Sequence, residues 1–329
     1  GVFRSVRRRH PLLGIPRAFG RGLPMPAYLK IIIYLAVSLV AGAAVAPPVF
    51  WLGQTLASSG ISDWLAGFPF HRVLSRCLQV SLVVLLWPTV RWIGLRRISA
   101  LGLRPNPVFG RDIVFGVLLA AAGVFLVSIV CFGLGFFSWR DEPALGSLGR
   151  IVLTAGAVSL VEEAVFRGVI LGICLWNLSA RGAIAVSSVL FAVVHFLKPA
   201  KTRIAPDAVQ WSSGYTELFS FAAALPSTGV LLFGLASLLV AGWILGRATL
   251  HTRSLWLAIG LHAGWVFGVQ TSNLFLRSTS SEATGFLPWV GPALVSGAVP
   301  TGLLPLAGLL LAGWLVSLYL KHVFRPAVA

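Results

Sequence analysis

The sequence predicts an all-α protein, a polytopic bundle of about eight transmembrane helices. Of its 329 residues, 57% are hydrophobic and 11% are charged, and the mean hydropathy is +0.90. A soluble domain carries about 25% charged residues, so water alone cannot solvate a chain of this composition. The apolar residues also gather in runs of about 20, the length at which a helix crosses a bilayer.

Each apolar run is predicted to form one span. The spans lie at 28–48, 74–95, 112–137, 150–174, 182–198, 228–247, 254–271 and 301–320. A basic N-terminal arm at 1–27 precedes them, and 28–329 is predicted to form one transmembrane domain.

The 26 Lys and Arg residues outnumber the 9 Asp and Glu residues and give a net charge of +17, and they mostly flank the apolar runs. An orientation with the N-terminus in the cytoplasm places most of them on the cytoplasmic side, as the positive-inside rule requires. The sequence therefore predicts a multi-pass protein of the cell membrane with both termini in the cytoplasm. Nucleic-acid binding is not predicted, because no basic domain interleaved with aromatic residues accompanies the charge.

The fourth span contains three ionisable residues, Glu162, Glu163 and Arg167. Each charge near the bilayer midplane costs about 3 kcal/mol or more unless it is paired or faces a wet cavity. Glu163 and Arg167 are spaced i, i+4, which predicts an ion pair on one helical face. Glu162 lies about 100° around the helix from Glu163, so it is free to face a cavity.

The fifth and seventh spans each add a histidine, His195 and His262. A helical bundle builds sites from inward side chains of facing helices, so two histidines and a carboxylate pair indicate a catalytic site. The alternative is structural: Glu163 and Arg167 would join two helices while the histidines bind backbone groups or hydroxyls such as those of Ser159 and Ser187. That alternative does not account for the second glutamate.

Three motifs, on the fourth, fifth and seventh spans, resemble those of the CPBP family, which includes CAAX prenyl endopeptidases and bacteriocin-processing and immunity proteins. Residues 162–167 match E-E-x-x-x-R, Phe191 to His195 match F-x-x-x-H, and His262 opens the third motif. The resemblance covers about 148–271, the predicted core of the transmembrane domain.

The resemblance implies an intramembrane endopeptidase that cleaves membrane-embedded or lipidated peptides, such as CAAX-type substrates, with a glutamate-activated water. Carried over, Glu162 is the base, and His195 helps to orient or activate the water. His262 helps to hold the oxyanion of the tetrahedral intermediate, while Glu163 and Arg167 maintain the geometry. The expected partners are a peptide or protein substrate within the membrane and the lipid bilayer itself, with no cofactor.

One residue departs from the family pattern. Four residues after His262, where the third motif has Asn or Asp, this chain has Val266. We expect the missing donor to come from Gln270, one turn beyond Val266, or from the indole N–H of Trp265.

A zinc-dependent form of the same site is the less favoured mechanism. Glu162, His195 and His262 would supply two histidines and one carboxylate and leave a position for water. The sequence contains neither an H-E-x-x-H pair nor a cysteine ligand set, so it favours the metal-free mechanism.

Two functions other than proteolysis also stay open. A non-catalytic protein that binds peptides, confers immunity or acts as a scaffold is supported by Val266. A proton-coupled transporter is disfavoured, because the intramembrane ionisable residues gather at 150–271 without a matching inverted repeat elsewhere.

Overall fold

A computed structural model describes residues 27–61, 63–92, 101–197, 204–220, 225–292 and 301–323. Apart from Ala27, the predicted N-terminal arm lies outside the described residues. The α-helices are α1 (Ala27–Ser58), α2 (Phe70–Trp92), α3 (Phe109–Gly133), α4 (Leu148–Glu163), α5 (Leu171–Asn177), α6 (Ala180–Val194), α7 (Ser213–Phe219), α8 (Thr228–Thr252), α9 (Trp256–Phe275) and α10 (Leu303–Val323). A π-helical segment, Ala164–Ile170, joins α4 to α5. Two short strands, β1 (Phe137–Trp139) and β2 (Leu276–Ser278), pair antiparallel.

The all-α prediction is confirmed, and each predicted span overlaps a helix. The largest difference in length is in the first helix, which was predicted to end at residue 48. Instead, α1 continues through Pro47 and Pro48 to Ser58. The short helix α7 and the two strands were not predicted from the sequence.

Five helices are long and apolar enough to cross a membrane within the described residues. They are Leu29–Ser58, Phe70–Trp92, Phe109–Gly133, Thr228–Thr252 and Leu303–Val323. The other three predicted spans depart from a regular apolar helix: the fourth is interrupted by the π-helical segment, α6 has 15 residues, and α9 carries several polar side chains. These five helices support the assignment of the chain as a membrane protein.

The described residues form two compact units, one made of 101–193, 226–292 and 301–323 and the other of 27–61, 63–92, 194–197, 204–220 and 225. In the second unit, α1 packs against α2 and α7 around a core that includes Phe50, Phe70 and Leu74. The first unit contains α3 to α6, α8, α9 and α10, and its core includes Leu245, Leu257 and Leu261.

Helices α3 and α9 run parallel and in close contact. Gly260 of α9 lies opposite Ile113 near the start of α3, and the Ser272 and Ser128 hydroxyls hydrogen-bond near their ends at 2.8 Å. Glycines allow the backbones to approach this closely, as small residues do in many membrane helix pairs. This contact fixes the position of α9, which carries His262.

We expect Gly260→Ala to destabilise the protein by about 1–3 kcal/mol, the usual cost of overpacking a core. A Cβ at this position would lie 2.6 Å from the Ile113 carbonyl oxygen, so the helices would have to separate. Thermal unfolding in detergent measures the effect. Gly123→Ala is the matched control, because a Cβ there meets nothing within 4 Å. Equal unfolding temperatures for the two variants would contradict the close packing.

Candidate active site

The π-helical segment Ala164–Ile170 begins immediately after the two glutamates, and all seven of its residues are buried. Single π turns inside α-helices occur frequently at functional sites. The wider turn changes the direction of the side chains that follow it relative to a continuous α-helix. Arg167 lies inside this segment, so its direction is set by the irregular turn.

Glu163 and Arg167 form the predicted ion pair, which is therefore confirmed. The Nη1 atom of Arg167 lies 3.0 Å from Oε1 of Glu163, and the two side chains are 1% and 0% exposed. The second guanidinium nitrogen, Nη2, donates to the carbonyl oxygen of Gly242 in α8 at 3.4 Å. The pair therefore connects the fourth span to α8 as well as balancing two buried charges.

His262 of α9 contacts the same pair. Its Nδ1 atom lies 2.8 Å from Oε1 of Glu163, and its Nε2 atom lies 3.8 Å from Oε2 of Glu162. An ionised carboxylate can only accept hydrogen bonds, so the short contact requires the proton on Nδ1. Glu163 thus binds both Arg167 and His262, and the second ring nitrogen of His262 faces Glu162.

This geometry shows that the hydroxyl alternative is wrong for His262. Ser187 donates instead to the carbonyl oxygen of Phe166 at 3.0 Å. The Ser159 hydroxyl is buried and has no hydrogen-bond partner in the part of the chain that the structure describes. The histidine's observed partners are the two glutamates.

Phe191 of α6 packs against both Arg167 and His262. Its ring lies 4.3 Å from the Arg167 guanidinium carbon and is nearly perpendicular to the His262 ring, with the ring centroids 5.9 Å apart. A guanidinium over an aromatic face is attracted by the ring quadrupole, and the attraction is strongest when both groups are desolvated. Phe191 therefore holds Arg167 and His262 in place from a third helix.

Three further residues were predicted to belong to the site: His195, Trp265 and Gln270. His195 comes directly after the last residue of α6, in the second unit, and its role stays a prediction. Trp265 packs against the core around Leu245 and Leu257. Gln270 lies about two helical turns beyond His262 and is half-buried. Among the described residues, no hydrogen bond joins Trp265 or Gln270 to the two glutamates or His262.

The described residues contain no group of three or more His, Cys, Asp or Glu side chains arranged to hold a metal ion. The Oε1 atom of Glu163 already contacts both Arg167 and His262. The zinc-dependent mechanism stays a prediction, as do the roles predicted for the individual residues.

The site lies within a region that is similar to a known protease family. The model of the family described as type II CAAX prenyl endopeptidase Rce1-like matches residues 144–268. The matched region begins just before α4 and includes Glu162, Phe191 and His262. This match confirms the resemblance found over 148–271 from the three motifs. No curated protein and no solved structure matches the chain.

Proposed function

We propose that this protein is an intramembrane endopeptidase that cleaves membrane-embedded or lipidated peptides, CAAX-type peptides among them, by a glutamate-activated water. The observation that carries the proposal is the cluster of two adjacent glutamates around one histidine on a facing helix. The family match at 144–268 supports the reaction class. Both termini are proposed to lie in the cytoplasm.

The exposure of the two glutamates assigns them different roles in this proposal. The Glu162 side chain is 29% exposed, whereas that of Glu163 is 0% exposed. A general base must lie within hydrogen-bond reach of the water it activates, and of the two glutamates only Glu162 has exposed side-chain surface, although its Oε2 atom is buried. Glu163 is instead a positioning residue that orients His262 and balances the charge of Arg167.

In the proposed reaction, Glu162 takes a proton from water while the water oxygen attacks the scissile carbonyl carbon. The carbonyl oxygen becomes an oxyanion, and Nε2 of His262 donates to it from the imidazolium form of the ring, which carries a proton on both nitrogens. When the tetrahedral intermediate collapses, the carbon–nitrogen bond breaks and Glu162 returns the proton to the leaving amine. Fixed donors aimed at a developing oxyanion in a site shielded from water commonly contribute a few kcal/mol each.

His195 is proposed to orient or activate the same water together with Glu162. A histidine suits this role because its ring accepts a proton at one nitrogen while the other nitrogen donates. The role is tested by the His195→Ala variant in the cleavage assay below.

The first experiment is cleavage of a panel of quenched fluorescent prenylated peptides by the purified protein in nanodiscs, with and without a chelator. Turnover that survives the chelator and disappears in His195→Ala supports the metal-free mechanism. Turnover that the chelator abolishes and zinc restores would shift the mechanism to a metalloenzyme. A chain that cleaves no peptide but binds members of the panel would instead be the non-catalytic, peptide-binding protein that Val266 favours.

We expect Val266→Asn to raise kcat about tenfold or more, since one oxyanion donor is commonly worth about a hundredfold or more. Position 266 is one turn from His262 on the same helix and is half-buried. Residues four apart lie on one face of a helix, so its side chain projects from the face of α9 that carries His262. Steady-state kinetics on the prenylated panel measure the change.

Val266→Leu is the matched control for this prediction, because leucine has the shape of asparagine without its amide. The leucine variant should keep the parental kcat. If both variants gain equally, cavity shape explains the effect, and the missing donor is not what limits this site.

A further inference from the structure

A mainly apolar groove of about 460 Å³ lies between α8 and α10 on the first unit. Leu239 and Trp243 line it from α8, and Trp314 and Leu320 line it from α10. Trp243 is 36% exposed and Trp314 is 58% exposed, so both indoles are accessible from outside the protein. One cation, Arg247, lines the same groove.

Helices α8 and α10 end at the same side of the bundle. The Tyr319 hydroxyl, near the end of α10, donates to Oδ1 of Asp112 at the start of α3 at 2.6 Å. Since α3 and α9 run parallel, the start of α9 at Trp256 lies at this side too. Helix α8 ends at Thr252, only four residues earlier, so its last turns are also here. We call this side the basic end.

The basic end carries a concentration of positive charge. Its cations precede or open α3, close α8, or close α10; they are Arg104, Arg111, Arg247, Arg253 and Lys321. Among the described residues at this end, Asp112 is the one carboxylate, and it accepts hydrogen bonds from Asn106 and Tyr319. In the part of the chain that the structure describes, Arg247 forms no ion pair.

We propose that this groove binds an anionic phospholipid, with its phosphate on Arg247 and one acyl chain along Trp243 and Trp314. The groove follows α10 from Leu310 to Leu320, ten residues or about 15 Å at 1.5 Å per residue. That is half of a hydrocarbon core about 30 Å thick, the depth of one leaflet. Guanidinium groups bind phosphate through two parallel hydrogen bonds, and the surrounding cations favour a negatively charged headgroup over a zwitterionic one. This site does not depend on peptidase activity.

The test is quenching of tryptophan fluorescence by dibrominated phospholipids in phosphatidylcholine nanodiscs that contain the full chain. The fluorescence of the two groove tryptophans is obtained by subtracting the fluorescence of a Trp243→Phe, Trp314→Phe double variant from that of the parent. This difference is the groove signal. We expect dibrominated phosphatidylglycerol to quench this signal at a mole fraction roughly fivefold lower than dibrominated phosphatidylcholine does, the effect of one basic residue near a membrane surface. Arg247→Gln should remove most of this preference, because the cations that remain at the basic end do not line the groove.

Arg181→Gln is the matched control, because Arg181 is exposed at the start of α6, a helix that packs near Leu250 of α8. The Arg181→Gln variant should keep the fivefold preference for phosphatidylglycerol. The charge-conserving variant Arg247→Lys should keep most of it. Equal quenching of the parent by both lipids would overturn the proposal, and this comparison stands even if Arg247→Gln fails to fold. A preference that is undiminished in folded Arg247→Gln would overturn it as well.

Discussion

Glu162→Gln should lower kcat for prenylated peptides by about a thousandfold, within the range of about 10²–10⁴ that a general base contributes. Glutamine keeps the size of glutamate, but its amide cannot take a proton from water. The side chain is 29% exposed and lies 3.8 Å from Nε2 of His262, so the substitution leaves the buried contacts of Glu163 untouched. The unfolding temperature should therefore stay close to that of the parent. Single-turnover kinetics and thermal unfolding on the same preparation measure both quantities.

The matched control is Glu142→Gln, which makes the same chemical change at an exposed residue before α4. It should keep both the parental turnover and the parental unfolding temperature. If Glu162→Gln retains turnover within tenfold of the parent while it remains folded, Glu162 is not the base, and the proposed mechanism fails at its first step.

The ion pair between Glu163 and Arg167 could be predicted from the sequence because it depends on local geometry alone. Residues four apart face each other on any helix, and two opposite charges in lipid have a strong reason to pair. The same cost of burying charge indicated that the fourth span carries a functional site. These inferences hold whatever the surrounding fold is.

The contact between His262 and Glu163 could not be predicted in this way. These residues are 99 positions apart, and their meeting depends on where α9 lies against α3 and α4. The i, i+4 spacing pairs Glu163 with Arg167 alone, and no feature of the sequence assigns His262 to Glu163. A single carboxylate has room for several donors, so the ion pair did not exclude the histidine.

The π-helical segment gave no signal in the sequence either. Its residues, from Ala164 to Ile170, are mostly ordinary buried helix residues, and none of them is a proline. The extra residue in the turn is held by tertiary contacts such as that of Ser187 with the Phe166 carbonyl oxygen. Such contacts are visible only once the neighbouring helix α6 is in place.

The interrupted fourth span, the short helix α6 and the polar helix α9 together carry Glu162, Phe191 and His262. These three segments are absent from the five helices long and apolar enough to cross a membrane. For the fourth span and α9 the two facts have one cause, whereas α6 is apolar and is excluded by its length of 15 residues. A site that holds charged and polar groups within a membrane protein must interrupt the apolar pattern by which spanning helices are recognised.

Arg167→Met should be the most destabilising of the substitutions considered, at about 3–5 kcal/mol, because removing one partner of a buried ion pair leaves the other charge uncompensated. Here Glu163, at 0% exposure, would keep only His262 as a partner. The variant also removes the donor to the Gly242 carbonyl oxygen and the cation over the Phe191 ring. The free energy of unfolding in mixed detergent micelles measures the loss.

The matched control for this loss is Arg277→Met, which breaks an exposed ion pair with Asp141. An exposed pair of this kind contributes about 0–1 kcal/mol, so the control should stay close to the parent. A loss in Arg167→Met as small as that of the control would contradict the assignment of Glu163 and Arg167 as a buried, energetically coupled pair.

The double variant Glu163→Gln, Arg167→Met separates the charge from the packing. It removes both charges, and the glutamine amide oxygen can still accept from Nδ1 of His262, so it should recover most of the stability lost in Arg167→Met. Peptide cleavage should stay low in the double variant, because a neutral amide holds the His262 ring less firmly than a carboxylate does. Recovery of stability without recovery of turnover would separate the folding role of the pair from its positioning role. A double variant as unstable as Arg167→Met would instead assign the loss to the contacts with Gly242 and Phe191.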